Sequence, residues 1–308
     1  MPKPFRLLAL ASLVLTLAAP AQPAPAQKVI FDTDIGDDID DAYALALLLQ
    51  SPEVKVIGIT TAFGDTQLRA RLVSRLLKDT GNAGIPVFAG PKTTPRTAFT
   101  QSTWALGSPV RQYGDAIAFL EQTISSNPGE ITLVAVAPFT NLGALLRKDP
   151  SAIRKLRRVV LMGGSVRRGY GSHDRPDPEW NILCDIPAAK ALFLSGVPLF
   201  VMPLDSTEIP LDEARQRQIF ARGTPLTNDL QELTGQWTAS TRQATPTLFD
   251  VVAAAYAVNP ELCPTTPLHI EVDDKGFTRE LPGAPNANVC LSSDPAVFFA
   301  FYLPRIMR

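Results

Sequence analysis

Acidic side chains are concentrated near the start of the sequence. Six aspartates fall within ten consecutive positions, although the whole chain of 308 residues has a formal net charge of only −1. Carboxylates this close repel one another unless a cation is bound among them, and a cluster of hard oxygen donors suits Ca²⁺. The spacing therefore predicts a cation site built from some of these residues: Asp32, Asp34, Asp37, Asp38, Asp40 and Asp41.

Two known aspartate-rich motifs do not account for this segment. An EF-hand loop that began at Asp32 would need glycine at its sixth position and glutamate at its twelfth, but Asp37 and Tyr43 stand there. The D-T-D triplet also resembles the start of the haloacid-dehalogenase phosphatases. That family would require a later lysine and a second acidic cluster after a strand, for which the sequence has no convincing match.

The elements that must position the aspartates alternate between strands and helices. "KVIFDTD" (28–34) predicts a strand, "DDAYALALLLQ" (40–50) a helix and "VKVIGITTAFG" (54–64) the next strand, and the alternation continues along the chain. Apolar strands separated by helices are typical of a parallel sheet that is covered on both faces. The predicted fold class is α/β, with a doubly wound, mostly parallel central sheet.

Polar residues follow several of the predicted strands. In open parallel sheets, ligands bind beyond the carboxyl ends of the strands. Asp65, Thr140, Asn141 and Asp205 come at such ends, as the aspartate cluster does. Each could also cap a helix, but together they predict one lined crevice. The long Gly- and Pro-rich segment 164–181 is predicted to be a functional loop.

Residues 1–27 differ in character from the rest of the chain. Lys3 and Arg6 precede the apolar run "LLALASLVLTLAA", and a Pro/Ala-rich stretch follows with A-x-A sites ending at Ala21 and Ala26. This is the pattern of a secretory signal peptide, and the apolar run is short for a membrane anchor. We therefore predict an exported protein, periplasmic or secreted, with no stable membrane insertion after cleavage.

Residues 28–308 are predicted to form a single domain, because no interior linker or repeat divides them. The near-neutral charge gives no basic footprint for nucleic acid. Export permits a disulfide. Cys263 and Cys290 could form one and leave Cys184 free, but three buried thiols are an equal alternative.

An ordered set of motifs resembles the inosine-uridine preferring nucleoside hydrolase family. "DTDIGDDIDDA" (32–42) is similar to the family's D-x-D-P-G-x-D-D-A, with Ile35 in the proline place and two extra residues before the last pair. Matches to later family motifs follow in the expected order over nearly the whole mature chain: "TTAFGD" (60–65), "APFTNLGALL" (137–146), "VVLMGG" (159–164), "PEWNILCD" (178–185) and "TPTLFDVVAAAYAVNPEL" (245–262).

The resemblance implies metal ligands at the matching positions. Asp34, Asp41 and Asp250 resemble the carboxylate ligands of a calcium ion, and the backbone carbonyl of Thr140 resembles a further ligand. Asp34 would also act as the general base on the attacking water, whose pKa a cation lowers. The expected cofactor is Ca²⁺.

The resemblance also implies contacts with the substrate. Asp40 resembles a residue that grips ribose, but the two extra loop residues leave Asp38 as the alternative. Carboxylates and amides accept well from vicinal hydroxyls, and an aromatic ring can stack on a nucleobase. The full set expected to bind substrate is Asp38, Asp40, Asp65, His173, Glu179, Trp180 and Asn181.

Three positions depart from the family's pattern. Asp65 stands where asparagine is usual, and His173 falls near the register of an unmatched ribose-binding asparagine. Several family members have histidine where this chain has Phe249, and phenylalanine cannot donate a proton to the leaving base. The nucleobase preference of relatives therefore does not transfer.

The family implies an enzyme that hydrolyses the N-glycosidic bond of ribonucleosides to ribose and free base. Its expected partner is a small-molecule ribonucleoside, and relatives suggest a homo-oligomer. The changed leaving-group side keeps two alternatives open. One is a hydrolase of a different N-ribosyl compound, and the other is a calcium-dependent nucleoside receptor without turnover.

Overall fold

The computed structural model of the chain describes residue 1 and residues 25–308. Most of the predicted signal segment, residues 1–27, lies outside the described residues. Among those described, no helix is both long and apolar enough to cross a membrane.

The described residues form eleven strands. Nine belong to one sheet and two form a separate antiparallel hairpin. Their bounds are β1 Gln27–Thr33, β2 Val54–Thr61, β3 Val87–Ala89, β4 Gly114–Asp115, β5 Ile131–Ala135, β6 Arg158–Met162, β7 Leu199–Met202, β8 Thr265–Leu268, β9 Ile270–Val272, β10 Thr278–Glu280 and β11 Ala287–Cys290.

Helices connect most of these strands. Their bounds are α1 Asp40–Leu49, α2 Thr66–Asp79, α3 Ser102–Leu106, α4 Ala116–Ser126, α5 Thr140–Lys148, α6 Pro150–Ile153, α7 Trp180–Cys184, α8 Ile186–Phe193, α9 Leu204–Thr207, α10 Glu213–Phe220, α11 Pro225–Thr241, α12 Phe249–Val258 and α13 Pro295–Ile306.

The large sheet runs in the order β4-β3-β2-β1-β5-β6-β7-β11-β8. Its neighbouring strands pair in parallel, except that β8 is antiparallel to β11. The chain moves outward from β1 in one direction through β4 and then returns to β5 on the other side of β1. A parallel sheet forms its ligand crevice where the strand order reverses, so the carboxyl ends of β1 and β5 mark the expected position. The predicted doubly wound, mostly parallel sheet is confirmed.

Alternation along the central strands divides the core into two layers. In β1, Val29 and Phe31 pack into the layer that contains α1, α2, α12 and α13, while Ile30 packs into the opposite layer with α4, α5 and α8. Successive strand side chains point to opposite faces, so apolar residues at consecutive positions require a sheet covered on both sides. The core thus holds β1 rigidly at the centre of the sheet.

The C-terminal part of the sheet carries a disulfide. Cys263 and Cys290 are bonded and lie 27 residues apart, which ties the segment before β8 to the end of β11. Cys184 is free and half-buried. Of the two alternatives left open by the sequence, the structure has the disulfide.

Candidate functional site

A crevice of about 500 Å³ opens at the carboxyl end of β1. Its walls come from the aspartate loop after β1, the end of β5, the loop before α7, the end of α11 and the start of α12. The volume is that of a small-molecule pocket. The crevice lies where the strand order reverses, as expected for a sheet of this type.

Four buried aspartates line the crevice together. Asp34, Asp40, Asp41 and Asp250 all contribute to its surface and are all buried. Carboxylate oxygens of Asp40, Asp41 and Asp250 lie within 4.8 Å of one another. The sequence analysis assigned metal binding to Asp34, Asp41 and Asp250. The tightest group in the structure instead contains Asp40 together with Asp41 and Asp250, and Asp34 lines the same cavity.

Local bonds fix the directions of these side chains. The backbone N–H of Asp250 donates to Oδ2 of Asp40 at 3.0 Å, and the hydroxyl of Thr33 donates to Oδ1 of Asp41. One carboxylate oxygen of each aspartate is thereby held by the protein. The other oxygen has a fixed orientation and remains available to a ligand.

Burial and mutual repulsion strongly affect the ionisation of the cluster. Burial raises the pKa of Asp34 to about 7; the nearby Asp37 adds to the rise, and Arg69 opposes it. Burial also raises the pKa of Asp40, Asp41 and Asp250, and the charges of neighbouring aspartates raise the pKa of each of the three further. Such a cluster favours any partner that brings compensating positive charge. The N-terminal ends of α1 and α12, which carry Asp40, Asp41 and Asp250, supply part of it.

The structure distinguishes Asp38 from Asp40, which the sequence could not. Asp40 is 3% exposed and bonded to Asp250, whereas Asp38 is exposed and its Oδ1 accepts from the adjacent N–H of Ile39 at 2.7 Å. Both residues line the crevice. Asp40 belongs to its carboxylate floor, and Asp38 to its rim.

Glu179 and Asn181 also line the crevice, from the start of α7. Nδ2 of Asn181 donates to the carbonyls of Val136 at 2.9 Å and Met162 at 3.2 Å, so its side-chain oxygen is free to accept from a ligand. Glu179 caps α7 by accepting from two backbone N–H groups of that helix and accepts a third bond from the N–H of Gly164. Only one of these bonds uses Oε1, which retains an acceptor position. Burial raises the pKa of Glu179 to about 7.

Aromatic rings form the remaining wall. Trp180, Tyr170, Trp237 and Phe249 all line the crevice. The ring of Tyr170 meets that of Phe249 edge-on, with 6.3 Å between the ring centroids. The backbone N–H of Trp180 donates to the hydroxyl oxygen of Tyr170 at 3.0 Å. Rings arranged in this way can contact a planar heterocycle.

Asp65 and His173, both predicted to bind substrate, are not brought to the crevice. Asp65 caps α2 through the N–H of Leu68 at 3.2 Å, and its other oxygen pairs with Lys92 at 3.0 Å. His173 pairs with Asp177 at 2.9 Å on the exposed side of its loop. Other partners hold both side chains outside the crevice, and the substrate contacts of these two residues stay predictions.

Thr140 is the first residue of α5 and does not line the crevice. The carbonyl of a first helical residue points along the helix toward the N–H four residues later, so it is not directed at the carboxylates. Val136, just after β5, does line the crevice. The metal-binding role of the Thr140 carbonyl stays a prediction, because Thr140 is not among the residues that line the crevice.

The long loop before α7 is fixed by two carboxylates of the α9 region. Asp205 accepts from the backbone N–H groups of Val166, Arg167 and Arg168 at 2.8, 2.8 and 3.2 Å. Glu208 accepts from the N–H of Gly171 at 2.7 Å. Asp205, predicted to line the crevice, instead holds the loop that brings Tyr170 there.

Sequence reasoning missed Val136, Tyr170 and Arg69. A signal for Arg69 was present, because α2 buries a stripe of residues at helical spacing that includes positions 66, 69, 70, 73, 76 and 77. An arginine on that face requires buried acceptors. No comparable periodic signal marks Tyr170, whose position depends on the bonds that shape its loop.

A parallel sheet with buried carboxylates in a crevice beyond the ends of its central strands is the arrangement of an α/β protein that binds a small molecule. The sequence pattern of the family described as inosine-uridine preferring nucleoside hydrolase matches residues 29–300. The chain belongs to this family and is an N-glycosyl hydrolase.

Individual relatives agree with the family assignment. The pyrimidine-specific ribonucleoside hydrolase RihB of Escherichia coli (strain K12 / DH10B) is 30% identical over 266 residues, which covers 80% of this chain and 83% of RihB. A plant nucleoside hydrolase, PpNRh1, superposes with a TM-score of 0.78 at 25% identity, covering 92% of this chain and 99% of the plant chain.

A bacterial structure gives the same result. The purine-preferring ribonucleoside hydrolase from Gardnerella vaginalis superposes with a TM-score of 0.79 at 25% identity. The superposition covers 91% of this chain and 98% of the Gardnerella chain. The fold is thus shared over nearly the full length of both relatives.

Proposed function

We propose that the protein is a calcium-dependent ribonucleoside hydrolase. The observation that carries the proposal is the convergence of Asp34, Asp40, Asp41 and Asp250 in one crevice of a nucleoside hydrolase fold. The relatives named above hydrolyse ribonucleosides by their descriptions. The crevice volume of about 500 Å³ accommodates such a substrate.

The donor set fits a hard divalent cation. Asp40, Asp41 and Asp250 offer buried carboxylate oxygens within 4.8 Å of one another. Asp34 and Val136 line the same cavity, and the Asp34 carboxylate and the Val136 carbonyl are the proposed further donors. The set contains only oxygen, which Ca²⁺ prefers, and no imidazole or thiolate. When bound, the cation would supply a Lewis acid for the ribose hydroxyls and for the nucleophilic water.

Asp34 is the proposed general base. It is buried, its pKa is raised to about 7 mainly by burial, and Arg69 holds its backbone carbonyl. A bound cation would favour the ionised form of this carboxylate, which is the form that accepts a proton. In this proposal Asp34 accepts the proton of the attacking water, and the neighbouring carboxylates stabilise positive charge that develops on the sugar.

Asn181 and Glu179, at the start of α7, are the proposed ribose contacts. The side-chain oxygen of Asn181 and Oε1 of Glu179 each keep an acceptor position, and ribose hydroxyls are donors. The rings of Trp180, Tyr170 and Phe249 would contact the nucleobase or the adjoining part of the sugar. Because Phe249 cannot donate a proton, an N-ribosyl compound with a better leaving group is the second candidate substrate.

Export and assembly complete the proposal. The charged and apolar pattern of residues 1–27 and the disulfide between Cys263 and Cys290 support a periplasmic or secreted location. A homo-oligomer is proposed by analogy with the family, and light scattering on the purified protein tests it.

The proposed activity is tested with a panel of nucleosides and cations. The chelator-treated protein is assayed for ribose release from inosine, uridine and other ribosides, with no added metal, with CaCl₂ and with MgCl₂. Turnover of common nucleosides that requires calcium supports the main proposal. Turnover of only activated ribosides supports the second candidate, and saturable binding without ribose release would indicate a receptor.

A further inference from the structure

Arg69 is a buried cation beneath the aspartate loop. It lies on the apolar face of α2, in register with Ala70 and Val73, and is only 1% exposed. A buried guanidinium is costly unless its N–H groups have acceptors and its charge has a partner. The acceptors of Arg69 are therefore informative about what the residue does.

All of the acceptors lie in the loops that follow β1 and β2. Nε donates to the carbonyl of Phe63 at 2.7 Å, and Nη1 donates to the carbonyls of Asp34 and Ile35, the latter at 3.1 Å. Phe63 has a φ of +60°, which is unusual for a bulky residue, so Arg69 supports a turn that the chain would not adopt alone.

Asp37 completes the coordination of the guanidinium. Nη1 and Nη2 donate to Oδ1 and Oδ2 of Asp37 at 3.0 and 2.9 Å. This two-point contact fixes the plane of the guanidinium relative to that of the carboxylate. Asp37 lies in the part of the loop that is two residues longer than the family's pattern. Asp37 lines the crevice, as do Asp34 and Asp40 on either side of it.

The neighbouring loop holds the same ion pair from the opposite side. The hydroxyl of Thr97 donates to Oδ2 of Asp37, and that of Thr100 donates to the carbonyl of Asp37 at 2.8 Å. The ring of Phe99 lies 5.2 Å from the Arg69 guanidinium and covers Gly36, where an added Cβ would be 2.2 Å from the ring. Gly36 also has a φ of +122°, so only glycine suits this position.

We propose that Arg69, acting through Asp37 and the carbonyls of Asp34 and Ile35, is a positioning residue for the cation site. It sets the lengthened loop so that the carboxylate of Asp34 faces those of Asp40 and Asp41. This inference rests on the proposed function, since it requires a cation to bind these carboxylates. It goes beyond that function because Arg69 itself does not line the crevice.

Charge and position make different predictions for the same residue. Arg69 is positive and close to the cluster, so if only its charge mattered, its removal would strengthen cation binding. If its geometry matters, a variant that keeps the charge but loses the planar fork must weaken binding, because lysine cannot reproduce the two-point contact. Charge-conserving substitutions therefore separate the two effects.

The test measures calcium affinity directly. Metal-free wild type, Arg69→Lys and Asp37→Glu are titrated with CaCl₂ by calorimetry, after circular dichroism has shown that each is folded in chelator. Arg71→Lys is the matched control, because Arg71 is on the same helix and donates to the carbonyls of Leu106 and Ser108 away from the crevice. Asp37→Glu changes a partly exposed side chain and keeps the test available if Arg69→Lys does not fold.

The expected result is at least about a tenfold loss of calcium affinity in Arg69→Lys and in Asp37→Glu, with Arg71→Lys within twofold of wild type. The double variant, Arg69→Lys with Asp37→Glu, should lose no more calcium affinity than the single variant with the larger loss, because the two residues act as a unit. A wild type that binds calcium while all variants bind equally overturns this inference alone. A wild type that binds no divalent cation overturns the proposed function together with it.

Discussion

The backbone N–H of Asp250 donates to Oδ2 of Asp40 at 3.0 Å, across 210 residues of chain. This bond joins the first turn of α12 to the first turn of α1, and the two helices pack against each other along the core. Both helices therefore present their N-terminal ends, and one or more carboxylates, to the same crevice. The bond shows how early and late parts of the sequence form one acidic site.

Replacing Asp34 with alanine should abolish turnover. The proposed base is lost, so kcat should fall by on the order of 10³-fold or more while the fold is retained. Ribose release under saturating calcium measures the effect. Asp65→Asn is the control, since Asp65 lies outside the crevice and asparagine can still cap α2. Near-normal activity of the Asp34 variant would remove Asp34 from the reaction.

Asp40 and Asp38 should respond very differently to alanine. Asp40 is buried and bonded to Asp250, so Asp40→Ala should weaken calcium binding by at least about tenfold and nearly eliminate turnover. Asp38 is exposed at the rim, and Asp38→Ala should change kcat/KM by less than about tenfold. Calorimetric calcium titration and steady-state kinetics give both values. Equal effects of the two substitutions would contradict the distinction drawn here.

Glu179 should make the metal-free protein less stable as the pH rises. Its pKa is raised from 4.5 to about 7, chiefly by burial, so the folded state prefers the protonated form. The stability it contributes is fully present below about pH 4.5 and is lost as the pH rises through 7, a change of about 3 kcal/mol. Urea unfolding in chelator measures it.

Glu179→Gln provides the control for that pH dependence. Glutamine cannot ionise, so the free energy of unfolding of wild type relative to Glu179→Gln should fall by about 3 kcal/mol between pH 4.5 and pH 8. If the two curves run parallel over this range, Glu179 does not titrate in the way that its burial indicates.

Removing the disulfide should destabilise the protein without changing the active-site chemistry. Cys263 and Cys290 close a segment of 27 residues, and loss of this link costs about 3 kcal/mol through the entropy of the unfolded chain. The double variant Cys263→Ser/Cys290→Ser should have a lower melting temperature than the control variant Cys184→Ser, which keeps the disulfide. Thiol titration of the denatured, unreduced wild type should find one free thiol. Three thiols would show that the bond does not form.

Asp205→Ala should affect substrate binding through the loop before α7. The carboxylate of Asp205 accepts three consecutive backbone N–H groups, and its removal leaves them without their partner. We expect KM to rise about tenfold with a smaller change in kcat, and faster hydrogen exchange at residues 166–171. Unchanged exchange in this segment would show that other bonds suffice to hold the loop.

The sequence was sufficient for the sheet and for the carboxylates because both leave local signals. Apolar strands at regular intervals predict a covered parallel sheet, and the end of its central strand is a fixed position in such a fold. Asp34, Asp40 and Asp41 follow that strand, Asp250 was assigned from the family motifs alone, and the structure brings all four to one crevice.

Three predicted site residues lie outside the crevice for a common physical reason. Asp65 and His173 each have a nearby partner, Lys92 and Asp177, that sequence spacing does not reveal. Thr140 was placed by its motif, but the helix begins at this residue and turns its carbonyl away. Side-chain direction depends on tertiary contacts and on exact helix starts, and both are poorly marked in one sequence.

The position of Asp250 also limits when the protein can become active. During synthesis the ribosome makes the aspartates of residues 32–41 long before residue 250, and α12 can dock only when more than four-fifths of the chain has emerged. Until then the early carboxylates lack the partner that completes the group of three within 4.8 Å. In the proposed mechanism, a chain that ends before residue 250 lacks one of the carboxylates that would hold the cation, and we expect it to cleave no nucleoside.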